Sequence, residues 1–517
     1  MNNNFANPIA SEQDNAPRIE NEYTKYDTAA ALILFPVAFA FVHLSGAADY
    51  PLGRFLLLAL LFALSLVYMK KSGIKLTENR FALGLGITML LLNLGLIFTS
   101  NEAVQFAISA ITFFSYPYFI FTISGNSSEK HPSGLFPLEM VKAVLIMPFG
   151  SMTASFEAAS STKNGKKIGK TLLMILAGLA IAFIPTIIVF ALLSYDQSFK
   201  ALTDKLLDLG DFDIFSFISD LIFAVPLAIL IFGALYSGKN RRFSEFMTAE
   251  KCKSTANAVR FAPLALVCSA VSPFIIIYSV FFVSQLGYYL SAFSGILPEG
   301  LTYADYAKSG FFELCTVSAI NAVIILCVSL FCRRKEEKPP ILLRIVNILL
   351  SVLTLILIAT AISKMVLYID TYGLTVKRVL SSSFMIFLAV VFIAILIKQF
   401  ARKTNVILTA LITGLLICAA LAFADVNGII ADYNTDRYLS RTLYNFDCGL
   451  LYDLGDSGII HLDRIAEDAK DKNVREKAIN LLTAEADARK DDENSIFSFT
   501  IPRLRSSAIL EKYKNEE

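Results

Sequence analysis

Charged residues are scarce in this sequence. Asp, Glu, Lys and Arg together make up 17% of its 517 residues, hydrophobic residues make up 55%, and the mean hydropathy is +0.59. Soluble domains carry more charge and fewer apolar residues than this. The composition therefore argues against a water-soluble protein and indicates one that lies in a lipid bilayer.

Cysteine is also sparse and shows no pattern. The chain has seven cysteines and three histidines, and no two cysteines form a CxxC pair. Cys252 and Cys448 lie outside the apolar segments, and the other five lie in or beside them. A disulfide framework or a zinc site is not indicated, because scattered cysteines in apolar runs are typical of small buried residues. We expect no metal and no cofactor.

Signatures of established catalytic sites are missing as well. The sequence contains no Walker-type phosphate loop, no GxSxG elbow and no HExxH motif. ATP-driven pumping by this chain alone is thus disfavoured, and we expect that the protein is not an enzyme. An enzyme that uses paired outer carboxylates stays open as an alternative, because paired acids need no sequence signature.

Long apolar runs are what the sequence does contain. About eleven of them are near 20 residues long, which is the length needed to cross a hydrocarbon core of about 30 Å. Backbone polar groups can be satisfied in that core only inside helices or closed barrels. We therefore predict an all-α, polytopic transmembrane helical bundle. The predicted spans are residues 28–46, 55–69, 81–99, 103–124, 171–194, 217–237, 261–284, 309–331, 345–368, 381–397 and 406–424.

A charged tail follows the last span. Residues 425–517 contain 13 Lys and Arg against 19 Asp and Glu, a net charge of −6, so no nucleic-acid surface is indicated. Apolar stripes around Leu462 and Leu482 predict short paired helices, similar to one unit of an α-solenoid. Because one such unit buries too little surface to be stable alone, we expect it to pack on the outer loops, on an envelope protein or on a second copy.

The basic residues predict the orientation of the chain. Short loops rich in Lys and Arg stay in the cytoplasm, and the strongly basic loops follow the second, fourth, sixth, eighth and tenth spans. This alternation predicts a cytoplasmic N-terminus and an extracytoplasmic tail. The predicted divisions are a polar N-terminal segment (1–27), four spans (28–124), a cytoplasmic loop (125–170), seven further spans (171–424) and the acidic helical tail (425–517).

The loop at 125–170 has a membrane-surface character. Residues 136–159 mix apolar residues with Glu139, Lys142 and Glu157, which predicts an amphipathic helix on the inner leaflet. The lysine cluster at 163–170 follows it directly, and lysines at this place suit anionic lipid. The bilayer, with anionic lipid at this cluster, is thus the first expected partner.

Four polar residues near or within the spans are candidates for function. An unpaired charge there is costly and generally faces a cavity or a partner. Under the predicted topology the charged ones lie toward the outer side. They either line an outward-facing cleft or serve structure through interhelical hydrogen bonds and snorkelling to the headgroups. These residues are Asp220, Glu313, Asn321 and Lys364.

Three outer segments carry a resemblance. They read LPEGLTYADYAKSGFFEL (297–314), YIDTYGLTVKR (368–378) and ADYNTDRYLS (431–440), and LLSYDQSF (192–199) precedes them. In this order they resemble an uncharacterised family of bacterial multi-span membrane proteins. The resemblance implies a multi-pass protein of the bacterial inner membrane, and it implies no activity.

The three segments also have complementary chemistry on the predicted outer face. Their carboxylates and cations suit one another, and their tyrosine rings suit the headgroup level. The cluster either docks the tail on the bundle, for example through Arg437 and a loop carboxylate, or forms a ligand or catalytic cleft. Its members are Glu299, Tyr303, Asp305, Tyr306, Lys308, Glu313, Asp370, Tyr372, Lys377, Arg378, Asn434, Arg437 and Tyr438.

Three functional hypotheses follow from the sequence. The first is envelope-related sensing, regulation or assembly through an outward tail docked on the outer loops. The second is a secondary transporter or flippase-like permease that uses kinked helices and the charged residues near the outer side. The third, a membrane-embedded envelope enzyme, has the least support.

Overall fold

The computed structural model describes most of the chain. The described residues are 23–46, 50–76, 79–127, 131–132, 134–160, 214–241, 258–294, 311–333, 340–401, 403–443, 446–489 and 496–514, together with the single residues 171, 174, 189, 193, 196 and 254. The predicted fifth span and the lysine cluster at 163–170 lie outside this part of the chain, apart from those single residues.

Ten helices of the described residues are long and apolar enough to cross a membrane. They confirm the predicted all-helical, multi-pass bundle, and the described residues contain no strand beyond an isolated bridge between Ala262 and Cys332. The ten helices are α1 (Lys25–Gly46), α2 (Pro51–Lys71), α3 (Arg80–Leu94), α4 (Glu102–Ile123), α8 (Ile214–Asn240), α9 (Leu264–Ser294), α10 (Phe311–Phe331), α11 (Ile341–Tyr372), α12 (Val376–Phe400) and α13 (Val406–Phe423).

The first group of spans consists of α1 to α4 and α8. Its core is aromatic, with Phe62, Phe119 and Phe232 almost fully buried. A hydrogen bond of 2.6 Å joins Ser65 of α2 to Tyr116 of α4. Close packing and such interhelical bonds hold helices together in lipid, because lipid tails are as apolar as the side chains.

The second group consists of α9 to α12. Its core includes Phe311, Met365 and Phe392, each almost fully buried. α13 contacts α3 and α4 of the first group and α12 of the second. It is therefore a span through which the two groups are connected.

The segment predicted as an interfacial helix forms four short pieces. These are α5 (Phe136–Val141), a π-helical turn (Lys142–Ile146), α6 (Met147–Gly150) and α7 (Met152–Ser160). α6 and α7 pack on α8, where the Ser237 hydroxyl donates to the Met147 carbonyl at 2.8 Å. Glu139 and Lys142 are buried in this packing. The segment is thus part of the packed bundle.

The described residues of the tail form five helices beyond the last span. They are α14 (Val426–Leu439), α15 (Cys448–Tyr452), α16 (Asp456–Asp468), α17 (Lys472–Ala488) and α18 (Ile501–Lys514), and a 3₁₀ turn at Ile496–Ser498 precedes α18. The Asp456 carboxylate accepts from Arg489 at 2.8 Å and from Ser506 at 2.6 Å. These bonds hold α16, α17 and α18 together.

The tail and the bundle share one apolar core. Leu96 and Val104, at the α3–α4 turn, belong to the same buried cluster as Ile430, Leu451 and Leu462 of the tail. The change of composition after residue 424 is therefore a division in sequence and not in packing.

Candidate functional site

The α11–α12 turn contacts tail helix α14. Gly373 ends α11 at φ 77° and ψ −174°, a conformation that is essentially restricted to glycine. The Asn434 amide pairs with the backbone that follows: its Oδ1 accepts from the Leu374 N–H at 2.8 Å, and its Nδ2 donates to the Leu374 carbonyl at 2.9 Å. A Cβ on Gly373 would lie 2.3 Å from Asn434 Oδ1. The close approach of the two segments thus depends on a glycine and an asparagine.

An ion pair lies beside this contact. Arg437 Nη1 donates to the Asp370 carbonyl at 2.6 Å and is 3.2 Å from the Asp370 carboxylate. The side chain of Asp370 is mostly exposed, so solvent weakens the charge interaction and the hydrogen bond to the carbonyl carries more of the positioning. We call the five residues Asp370, Gly373, Leu374, Asn434 and Arg437 the dock.

Arg378, in the first turn of α12, bonds to the α11–α12 turn within the bundle. Its guanidinium donates to the carbonyls of Tyr372, at 3.1 Å, and Gly373. The same guanidinium lies 4.0 Å from the ring centroid of Tyr368, a cation–π contact. Arg378 thus bonds to backbone carbonyls and an aromatic ring of the same turn.

The other predicted members of the cluster are less closely connected. Lys377 is exposed next to the dock, and the Tyr438 ring stacks on Phe446 at 4.3 Å between centroids. Glu313 lies at the start of α10. The remaining members lie outside the described residues: Glu299, Tyr303, Asp305, Tyr306 and Lys308.

A second contact joins the tail to the first group of spans. Asn101, in the α3–α4 turn, donates through Nδ2 to Oδ1 of Asn427 at 2.6 Å. The Ser457 hydroxyl bonds to the Asp425 carboxylate at 2.9 Å, and burial raises the pKa of that carboxyl. Sequence reasoning missed these residues because asparagine and serine after an apolar run are common turn residues.

Because Asn427 contacts the first group and Asn434 contacts the second, helix α14 bridges both groups of spans. The two asparagines are two helical turns apart on one helix. A displacement of one group against the other would break at least one of these contacts. The dock and the Asn101–Asn427 bond can thus form together only in one relative position of the two groups of spans.

The charged residues of the spans fall into two separate places. Asp220 of α8 contacts His43 of α1 at 2.7 Å, within the first group. Glu313 of α10 and Lys364 of α11 belong to the second group, where these two helices pack on each other. The structure thus places Glu313 and Lys364 on two helices that pack on each other, and it pairs Asp220 with a histidine that sequence reasoning had not connected to it.

Asn321 is at the centre of an interhelical network. It is fully buried on α10, its Oδ1 accepts from the Tyr278 hydroxyl of α9 at 2.7 Å, and its Nδ2 donates to Thr354 of α11 at 3.0 Å. Three helices of the second group meet at this one side chain. This geometry corresponds to the structural alternative considered for the residue.

A buried ion pair in the first group was not anticipated. Asp27 is fully buried at the start of α1, and its carboxylate accepts from Lys239 Nζ at 2.7 and 2.8 Å and from the Tyr68 hydroxyl at 2.6 Å. The predicted divisions placed Asp27 in the polar N-terminal segment (1–27) and Lys239 just after the sixth span (217–237). The sequence signal for this ion pair would have been an aspartate at the start of one span and a lysine at the end of another.

The described residues contain no group of three or more His, Cys, Asp or Glu side chains arranged to hold a metal ion. Their polar clusters are instead pairs and triads in which hydrogen bonds connect neighbouring helices. Such interhelical bonds hold helices together in lipid.

A family model matches most of the chain. The family model for the Domain of unknown function (DUF4153) matches residues 30–465. The chain belongs to this family. The match begins in α1 and ends in α16, so it includes both groups of spans, α14 and the dock, whereas α17 and α18 lie beyond it. No curated protein and no solved structure matches the chain.

Proposed function

We propose that this membrane protein serves sensing, regulation or assembly in the bacterial envelope, and that its docked tail holds the two groups of spans in one arrangement. The observation that carries the proposal is the position of α14, which bonds to the first group through Asn427 and to the second through Asn434. A partner or signal that releases one contact would free the groups to move against each other, as in other two-state elements.

The basic residues support an outward tail. Lys70 and Lys71 end α2, and Lys239 ends α8. These helix ends, together with the end of α12 at Lys398, are opposite to the end that carries the dock. Under the positive-inside rule the end of the bundle that carries these lysines faces the cytoplasm. A tail on the opposite end, beside the dock, would then face the envelope.

The test compares the loss of two asparagine hydrogen bonds in the full-length protein. Asn434→Ala removes the side-chain bonds at the dock. Asn405→Ala removes a side-chain bond at the opposite end of the bundle, where Asn405 Nδ2 donates to the Pro132 carbonyl at 2.6 Å. We expect Asn434→Ala, and not Asn405→Ala, to change which envelope proteins are captured by photo-crosslinking from the tail in cells. Identical capture from both variants and the wild type would contradict the proposal.

Transport is the second candidate, and one observation favours it. Glu313 and Lys364 lie on α10 and α11, two spans of the second group that pack on each other, and charged residues in spans mark substrate paths in many transporters. In proteoliposomes, Glu313→Gln and Lys364→Met would then abolish solute flux while hydrogen exchange of α14 stays unchanged. If both variants alter α14 exchange and no flux is found, the pair is structural.

A further inference from the structure

A group of apolar side chains is exposed on the tail around the start of α18. Ile496 is 80% exposed and Leu504 is 61% exposed, and Phe497 and Phe499 lie between them. Ser498 and Thr500 alternate with the two phenylalanines and are buried. One face of this segment is therefore polar and packed, whereas the other is apolar and open.

This exposed face belongs to a well-fixed part of the tail. Pro502 and Leu510 of α18 are buried, and Lys512 and Tyr513 donate to the Asp463 carboxylate at 2.9 and 2.8 Å. α18 packs on both α16 and α17. The segment is thus fixed by its packing on α16 and α17, and its apolar side chains are held on the opposite, exposed side.

The segment lies at the level of the membrane boundary. Phe497 packs on Gly53, whose added Cβ would be 3.3 Å from Phe497 Cβ and 2.7 Å from Leu44 of α1. α2 has 21 residues, which gives a length of about 31 Å, close to the hydrocarbon thickness of about 30 Å. Gly53 is in the first turn of this helix, so Phe497 contacts α2 at the edge of the hydrocarbon.

The lipid-facing side of α2 continues from the same point. Leu56 and Leu60 follow Gly53 at helical spacing, and both are exposed. Arg503 and Arg505 flank Leu504, and arginine beside exposed leucine and phenylalanine is typical of segments that lie in the headgroup region. Continuity with a lipid-facing stripe and this charge pattern favour the bilayer over a protein as the occupant.

We propose that residues 496–504 insert into the leaflet on the tail side and anchor the tail to the membrane surface. The apolar side chains would reach the boundary between headgroups and acyl chains, about 5–10 Å into the leaflet. This site rests on the position of the tail at one end of the bundle and goes beyond the role proposed above. It also lies outside the residues matched by the family model.

The absence of tryptophan from the chain makes a direct test possible. Phe499→Trp and Tyr452→Trp each give a protein with a single tryptophan, and the two original side chains are both 38% exposed. Tyr452 lies on α15 and bonds to Glu485 of α17, so it is the matched control within the tail. Both full-length variants are reconstituted in vesicles of phosphatidylcholine and phosphatidylglycerol.

We expect the tryptophan at position 499 to emit at shorter wavelength and to be quenched by lipids brominated near the headgroup end of the acyl chains. The tryptophan at position 452 should be quenched by aqueous iodide instead. Adding Ile496→Ser and Leu504→Ser to Phe499→Trp should shift its quenching from bromolipid toward iodide, while the hydrogen exchange of α16 reports that the tail stays folded.

Two results would overturn the proposal. Equal iodide quenching at both positions would mean that the segment faces water. Shielding of position 499 from both iodide and bromolipid would mean that protein covers it, for example a second copy of the chain. The envelope role can fail independently, because the depth of Phe499 is measured with purified protein and no partner.

Discussion

Gly373→Ala should loosen the tail more than alanine at any other positive-φ glycine among the described residues. The new Cβ would lie 2.3 Å from Asn434 Oδ1, so the Asn434 amide must move and lose both bonds to Leu374. Two neutral hydrogen bonds are worth about 1–3 kcal/mol together. Backbone strain at this φ and ψ adds about 1–3 kcal/mol.

Gly455→Ala separates these two contributions. Gly455 has φ 63° and ψ −142°, the same strained region, but nothing lies within 4 Å of its added Cβ. Both variants thus carry similar strain, and only Gly373→Ala disturbs the dock. The expected difference in the free energy of tail opening is about 1–3 kcal/mol, or about 5- to 150-fold in the opening equilibrium.

Hydrogen exchange of the α14 backbone amides, measured by mass spectrometry on full-length protein in nanodiscs, reports this opening. We expect faster exchange in Gly373→Ala than in Gly455→Ala, by the factor given above. Asn434→Ala removes the same two bonds without backbone strain, so its exchange should exceed that of the wild type by the same 5- to 150-fold factor. If both glycine variants exchange at the same rate, the dock does not hold α14 and the reasoning is refuted.

Three further predictions concern buried polar groups. Asp27→Asn should destabilise the first group of spans by about 3–5 kcal/mol, because it leaves Lys239 without a charged partner, and adding Lys239→Met should restore much of the melting temperature. Asn321→Val should lower the melting temperature more than Asn347→Val, because Asn321 bonds to two neighbouring helices whereas Oδ1 of Asn347 has no hydrogen-bond partner among the described residues; equal losses would contradict this. Burial lowers the pKa of His461 below its ordinary value of 6.5, so the unfolded tail binds protons more readily than the folded one and stability should fall as pH drops below about 6.5. His461→Gln should flatten that slope in urea titrations, and an unchanged slope would assign it to other groups.

Much of the fold followed from the length of the apolar runs. A run near 20 residues needs no knowledge of its neighbours to be predicted as a span, and ten helices bear this out. The sequence also predicted that residues 368–378 and 431–440 share one face, and the structure puts Asp370 in contact with Arg437. Alternation of loops between the two ends of a bundle was enough for that expectation.

The side-chain contacts between different spans could not be predicted from the sequence. A helix that is apolar on nearly every side gives no signal of its rotation, so the contact between His43 and Asp220 had no visible basis. Asp27 and Lys239 are 212 positions apart, and each looked like an ordinary charge beside a span. The same holds for Asn101 and Asn427, whose bond depends on how α3, α4 and the tail meet.

The shared core of tail and bundle has a consequence for the order in which the protein is synthesised and assembled. Leu92, Leu96, Val104 and Ile108 are in place once α3 and α4 have been inserted, yet the tail residues that cover them are synthesised after α13. Until then this end of the bundle presents an apolar surface suited to chaperones and proteases. Completion of the tail removes that surface only when both groups of spans are correctly placed, so a misassembled bundle would stay recognisable to quality control.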